Sequence, residues 1–422
     1  MPPVTSTLST QQVADLLGIK PETVYAYVSR GLLTPTSRSR MQGSRFERSE
    51  VESLRASGRG RTKPNNPDRI RGSFIDVRTS ICTIQHERHW YRGHDAIQLA
   101  THHSFEQIAE LLWARSLAEQ HAALTESTHR WSQPEPAAVR AAQTVFASHP
   151  QAPPITMLIG AIEAMSFVDP FSADSRSEAI APTGRTLLSS LVAALPRQPG
   201  SSASPSSASA SPFAHQLWPK LTPRRRTAKN VKALNSVLII MADHELAGST
   251  FAARIAASFH AGPYDSLCAA LAVARGSLHA GATERATTML SEVVEHGNAE
   301  SVVAQFLERG ERIPGLGHHL YRSGDPRFFA IRDLCERSGL NPVPFEAVDE
   351  LEAVCHSRDL PRPNVDMGLA AFALSNGMRP NMAALIFVIA RMAGWLAHIS
   401  EEYTQRSSLR PRGVYIGTPI GE

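Results

Sequence analysis

Residues 381–399 read NMAALIFVIARMAGWLAHI and carry apolar side chains on nearly every face of a helix. A helix of that kind has no polar stripe to turn to water, so it must be buried in a core or a subunit interface. Other elements therefore have to surround it and supply apolar faces of their own. Most of the remaining sequence alternates Ala/Leu-rich segments at helical spacing with short turns, and strand signals are few. Residues 104–118 (SFEQIAELLWARSLA) are typical. Ser104 stands where an N-cap belongs, and Phe105, Ile108, Ala109, Leu111 and Leu112 form one apolar face. The larger part of the chain is expected to be all-α.

A chain of 422 residues is too long for one ordinary domain, so two or three compact units are expected. Residues 57–67 (SGRGRTKPNNP) are basic and rich in Gly, Pro and Asn, with no apolar periodicity. This reads as a linker over 58–69 between a first unit, 1–57, and a main body, 70–422. Residues 199–212 (PGSSASPSSASASP) offer nothing to bury and read as a disordered insertion.

The net charge is +4, and lysine is scarce while arginine is common, so a single arginine says less about anion binding than usual. Cys82, Cys268, Cys335 and Cys355 lie far apart with no CxxC pair, which argues against a zinc site or a disulfide framework. The first residues, MPPVTSTLSTQQ, have neither the basic nor the apolar region of a signal peptide. The apolar run 237–242 stops at Asp243-His244-Glu245, and no run is expected to span a membrane. A soluble, cytoplasmic protein is the expectation.

The first unit has its own logic. In residues 8–33 (LSTQQVADLLGIKPETVYAYVSRGLL), Ser9 or Thr10 can cap a helix with Val13, Leu16 and Leu17 facing inward. Gly18-Ile19 supplies a turn and Pro21 suits the first turn of a second helix. Val24 and Val28 then face inward, leaving Thr23, Tyr25, Tyr27 and Arg30 more exposed. Arg38, Arg40, Arg45 and Arg48 follow, with residues 43–46 placed as a hairpin wing and residues 49–51 starting a further short helix. The pattern resembles the winged helix-turn-helix DNA-binding domains of the MerR and excisionase type. That resemblance implies a DNA contact through Thr23, Tyr25, Tyr27, Arg30, Arg38, Arg40 and Arg45. The two tyrosines could touch bases or sugars, or simply pack. The competing reading is a helical hairpin used for dimerisation or docking.

Residues 315–327 (GLGHHLYRSGDPR) interrupt the helical body with glycines, a proline and several titratable groups. Other polar breaks accompany them: DHE at 243–245, RGSLHAGATE at 275–284, and PNVD at 363–366. RMAGWLAHISEE and LRPRGVY come near the end. In this order, from about residue 70 to 417, the motifs resemble the citrate synthase family, which condenses a CoA thioester with a 2-oxo acid.

The resemblance implies a homodimer of large and small helical domains, the small one over roughly 283–372. It implies Asp366 as the base that takes a methyl proton and His279 as the donor to the thioester oxygen. His318 is implied as the donor to the ketone of oxaloacetate. It also implies His244, Arg327, Arg391 and Arg410 as holders of the dicarboxylate, with Arg410 reaching across from the partner subunit. CoA would lie against the backbone from Ile313 through Gly315 to Gly317. Arg322 is implied as a phosphate partner, with a solvated surface arginine as the alternative; for the run 224–226 a solvated face is the favoured reading. No cofactor or metal is implied, since the CoA thioester is a substrate. Ala280 and Thr283 stand where the family usually has Gly and Asn, and residues 367–370 (MGLA) replace an aromatic-x-Ser-Gly continuation. His319 has no assigned role. Acetyl-CoA and propionyl-CoA remain open as the acyl donor. So does a metabolite-responsive DNA-binding regulator built on the same body.

Overall fold

The computed structural model describes residues 7–17, 19–29, 33–39, 43–48, 50–51, 77–125, 131, 133–201, 211–321, 323–405 and 408–411. It divides into two compact units, 1–76 and 77–422. The linker reading at 57–67 lies outside the described residues, as does 202–210 of the Ser/Ala/Pro tract.

In the first unit the helix Thr10–Leu17 follows a short strand, Thr7–Ser9. Ser9 Oγ accepts from the Gln12 backbone N–H at 3.3 Å, and the Gln12 side chain accepts the Ser9 N–H at 2.9 Å. This reciprocal cap makes Ser9, not Thr10, the capping residue. The inward face is Val13, Ala14 and Leu17, while the expected Leu16 is only partly buried. The second helix, Pro21–Ser29, buries Val24 fully and Val28 in part. Strands Pro35–Ser39 and Gly43–Glu47 pair antiparallel, with Arg38 opposite Ser44, and Thr7–Ser9 adds to the far edge of Gly43–Glu47. Phe46 and Val51 close a small core with Leu8 and Leu33.

Among its described residues the second unit is helical apart from one antiparallel sheet, Cys82–Gln85, Arg88–Tyr91 and His94–Asp95. At its centre runs Pro380–Tyr403, buried almost without interruption from Met382 to Ser400. Contrary to the sequence expectation, this helix is long and apolar enough to cross a membrane by length and composition; its apolar window is wholly buried inside the bundle. Helices Gly248–Ser258, Pro263–Ala274, Ala280–His296, Val365–Ser375 and Phe105–Trp113 pack around it.

The helix expected over 104–118 stops at Trp113. Its start is capped reciprocally by Ser104 and Gln107. At the other end the Trp113 indole N–H donates to the Ala393 carbonyl at 2.9 Å, fixing the chain there. Ser116 Oγ then accepts from the Glu119 N–H and opens a separate helix, Leu117–Thr125. The sequence holds two cap signals in this stretch, and the second one wins over continuity of the first helix. The four cysteines are all free thiols.

Candidate functional site

The motif loops come together because one asparagine clasps two of them. Asn364 caps the helix Val365–Ser375, its side-chain oxygen accepting the Asp366 N–H at 2.9 Å. Its amide N–H donates to the Gly317 carbonyl at 2.8 Å, and its own backbone N–H donates to Gly315 O at 2.9 Å. Gly317 N–H returns a bond to Arg362 O at 2.8 Å. Residues 315–317 and 362–364 are thereby laid antiparallel. Gly315 and Gly317 have φ of 79° and 75°. A Cβ at Gly315 would also sit 3.0 Å from Met367 and 3.1 Å from Ala286, so glycine is required by conformation and by space.

These loops form a wall of a cavity of about 900 Å³ in the second unit. His244, His279, Ile313, Gly315, Gly317, His318, Arg327, Asp366 and Arg391 all line it. Nine residues singled out from five separate motifs thus share one space. Arg410 does not line this cavity; it is exposed near the end of the described residues. Arg322 lies outside the described residues.

The hydrogen bonds fix the tautomers of both implied imidazole donors. His318 Nδ1 accepts the Leu320 backbone N–H at 3.2 Å, so a neutral ring carries its proton on Nε2. The Trp395 indole N–H donates to Ser249 Oγ at 3.3 Å, which leaves the Ser249 hydroxyl proton for His279 Nε2, 2.7 Å away. The His279 proton then resides on Nδ1. Both rings are held neutral. Burial, assisted by Arg391, lowers His279 to a pKa of about 4. Burial, assisted by Arg327, lowers His318 to about 4. His244 is pushed well below its ordinary value by burial and then by Arg327, and its Nε2 meets the Tyr321 hydroxyl at 2.7 Å. His318 stacks on His319 with ring centres 4.9 Å apart.

Asp366 sits in the first turn of its helix, at the cavity wall, with its pKa raised above the ordinary carboxylate value by burial. Arg327 is aimed by its own neighbour. Asp325 caps the helix Pro326–Ser338 and binds the Arg327 guanidinium in a two-point pair, Nε to Oδ1 at 2.9 Å and NH2 to Oδ2 at 2.7 Å. Arg391, buried in the central helix, donates through Nε to the Met241 carbonyl at 2.9 Å and lies over the Phe387 ring. Two largely desolvated guanidinium groups and a carboxylate thus face one apolar-walled space beside three neutral imidazoles.

Sequence reasoning did not assign Tyr321, Ser249 or Asn364, although each belongs to or adjoins a recognised motif. Arg312 and Arg285 also line the cavity and were not singled out. Of the basic run 224–226, Arg224 and Arg225 are exposed and Arg226 is half-buried, in keeping with a solvated face, while Arg224 also donates to Ser375 O at 2.9 Å and Arg226 to His215 O at 3.2 Å.

In the first unit Tyr25 is 57% exposed, whereas Tyr27 is partly packed on the small core. Thr23 is half-buried, and Arg45 lies on the hairpin strand Gly43–Glu47. Arg38 lies on the paired strand Pro35–Ser39; Arg30 and Arg40 lie outside the described residues.

Fold and site together define a mainly helical body whose imidazole- and arginine-lined cavity is assembled from several motif loops, joined in sequence to a helix-turn-helix unit. The chain belongs to the citrate synthase family. Residues 73–412 match the family model described as citrate synthase, C-terminal domain, and residues 7–59 match a helix-turn-helix domain model. The chain is 38% identical over 191 residues to citrate synthase 2 of Bacillus subtilis, covering 44% of this chain and 51% of that protein. It is 30% identical over 196 residues to 2-methylcitrate synthase 1 of Corynebacterium glutamicum, covering 45% and 51%. The alignments thus span about half the length of the curated relatives matched. Among solved structures, citrate synthase from Thermoplasma acidophilum, in ternary complex with carboxymethyl coenzyme A and oxaloacetate, superposes with a TM-score of 0.66 at 23% identity, over 83% of this chain and 96% of that one. Citrate synthase from Pyrobaculum aerophilum superposes with a TM-score of 0.62 at 23% identity, over 92% and 97%.

Proposed function

We propose that the protein condenses acetyl-CoA with oxaloacetate and hydrolyses the resulting thioester to citrate and CoA. The observation that carries this reading is the convergence of His279, His318 and Asp366 with Arg327 and Arg391 on one cavity. A thioester methyl group is only weakly acidic, so proton removal needs a base and a donor acting together. Asp366 takes the proton, and His279, through Nδ1–H, donates to the oxygen that gains charge. The new carbanion centre attacks the ketone of oxaloacetate while His318, through Nε2–H, donates to its carbonyl oxygen. Arg327, Arg391 and His244 hold the two carboxylates. Water then cleaves the thioester, releasing CoA. Neutral imidazoles suit this task, since an uncharged donor can follow charge on the substrate without holding a competing anion.

A homodimer accompanies this reading, with Arg410 completing the partner's site, and the backbone at Ile313, Gly315 and Gly317 lies along CoA with Arg322 on a phosphate. The testing assay is CoA release with oxaloacetate and a panel of acyl-CoA thioesters. Turnover with acetyl-CoA is expected; absence of turnover by folded protein overturns the reading, and faster turnover with propionyl-CoA moves it to 2-methylcitrate synthesis.

A second reading concerns the first unit. Exposed Tyr25 on the second helix and Arg45 on the hairpin favour a DNA contact. A gel-shift series over increasing salt tests it: affinity that falls with salt supports the contact, and no binding above background removes it.

A further inference from the structure

Thr283 is fully buried in the first turn of the helix Ala280–His296, which begins immediately after His279. Its hydroxyl donates to Asp366 Oδ1 at 2.5 Å, bridging the first turns of two packed helices. Asp366 Oδ2 accepts no hydrogen bond from the described residues, and Asp366 lines the cavity. A carboxylate with one oxygen tied and the other open to the cavity has a fixed plane and a single reactive lone-pair edge. The tie is short and charge-assisted, and such bonds are the strong ones. Thr287 Oγ1 in turn donates to the Thr283 carbonyl at 2.7 Å within the same helix. Being β-branched, threonine has restricted χ1 freedom, so the hydroxyl direction is set by the helix.

We propose that Thr283 is a positioning residue for the base of the condensation, directing Asp366 Oδ2 at the acyl-CoA methyl group. The inference rests on the reading of Asp366 as that base. One helix start then serves both halves of proton removal: His279, its N-cap, stabilises the oxygen, and Thr283, one turn later, aims the carboxylate. The tie also favours the ionised carboxylate, opposing the effect of burial.

The test is Thr283→Val, which keeps the branched shape and removes the donor, compared with Thr283→Ser and Thr283→Asn, which keep one. CoA release is measured as kcat and KM across pH, with thermal melting as the fold control. Expected for Thr283→Val are a fall in kcat of about ten- to hundred-fold, an acid limb displaced to higher pH by about one unit, and an oxaloacetate KM within about twofold of wild type. Thr283→Ser is expected to restore both kcat and the limb. If Thr283→Val does not fold, Thr283→Ala takes its place, with the same fall in kcat and displaced acid limb expected and a wild-type kcat and limb overturning the role. A Thr283→Val enzyme with wild-type kcat and acid limb overturns the positioning role, as does a Thr283→Ser enzyme as impaired as Thr283→Val. Asp366→Ala in the same assay separates the two levels. Residual wild-type turnover there overturns the base itself, whereas a dead Asp366→Ala beside an unaffected Thr283→Val overturns only the role of Thr283.

Discussion

Two clusters of buried charge lie in the same helical unit, and they are built on opposite principles. In one, Arg254 has its guanidinium fully engaged: Glu402 at 2.7 Å, Glu401 at 2.6 Å, His398 Nδ1 at 3.2 Å and the Arg78 carbonyl at 3.2 Å. His398 continues the chain to Asp243 at 3.2 Å, and Glu401 holds Ser80 through two hydrogen bonds. In the other cluster Arg391 has a backbone carbonyl as its hydrogen-bond partner and pairs with no carboxylate among the described residues. Burial lowers its pKa, the mark of a charge kept out of water without sufficient compensation. Arg327 is intermediate, paired on one side with Asp325 yet facing the cavity. A cluster whose arginine is paired at every nitrogen ties elements together. An under-satisfied one beside a cavity is prepared for a charged ligand that completes it, so pairing, not burial, separates structure from function here.

That contrast can be broken directly. Arg254→Met should leave Glu401 and Glu402 buried without their partner and destabilise the protein by about 3–5 kcal/mol, read by denaturant unfolding of the intact chain. Stability changed by less than about 1 kcal/mol would put the satisfied cluster among dispensable surface pairs. Arg391→Met should do the reverse. Removing a poorly paired charge is expected to leave the melting temperature nearly unchanged, while the KM for oxaloacetate rises by about ten- to hundred-fold. A large loss of stability with intact oxaloacetate binding would erase the distinction.

A smaller effect follows from pH. His279 and His318 titrate near 4 in the folded protein, against about 6.5 when unfolded. Between those values the unfolded chain binds protons that the folded one does not. Stability from these groups is therefore undiminished above about 6.5 and declines as pH falls toward 4. Activity should follow a different group: burial raises Asp366 above the ordinary carboxylate value, so its base form is lost at a higher pH than that of an exposed carboxylate. Profiles of melting temperature and of kcat against pH should separate accordingly. Smallest is Ser249→Ala, which frees His279 to adopt either tautomer and should lower kcat by about two- to ten-fold without altering the oxaloacetate KM. An unchanged kcat would mean that the Ser249 contact does not set the tautomer.

Much of this arrangement was legible in the chain. The all-round apolar stretch at 381–399 demanded a buried central helix, and the structure provides it. The order of motifs points to His279, His318 and Asp366 as a set. The boundary at Trp113 was missed although Ser116 offers a second cap locally, because the contact that fixes the chain there, the indole N–H to Ala393 O, lies 280 residues away, where local periodicity cannot register it. The roles of Thr283, noted in sequence only as a departure from the family pattern, and of Ser249 and Tyr321 escaped for a related reason. Their chemistry is generic in sequence, and only their partners, at separations of 83, 30 and 77 residues, give it a role. Arg391 is the opposite case: one cation in an apolar run is conspicuous in sequence because its burial needs a reason.

The clasp made by Asn364 makes one part of two loops. The segment proposed to lie along CoA and the segment carrying the proposed base are joined by Asn364 through Gly315, Gly317 and the Asp366 N–H. Replacing Asn364 by alanine would remove two side-chain bonds and leave only the backbone tie, so a single substitution should loosen both stretches of the cavity wall together.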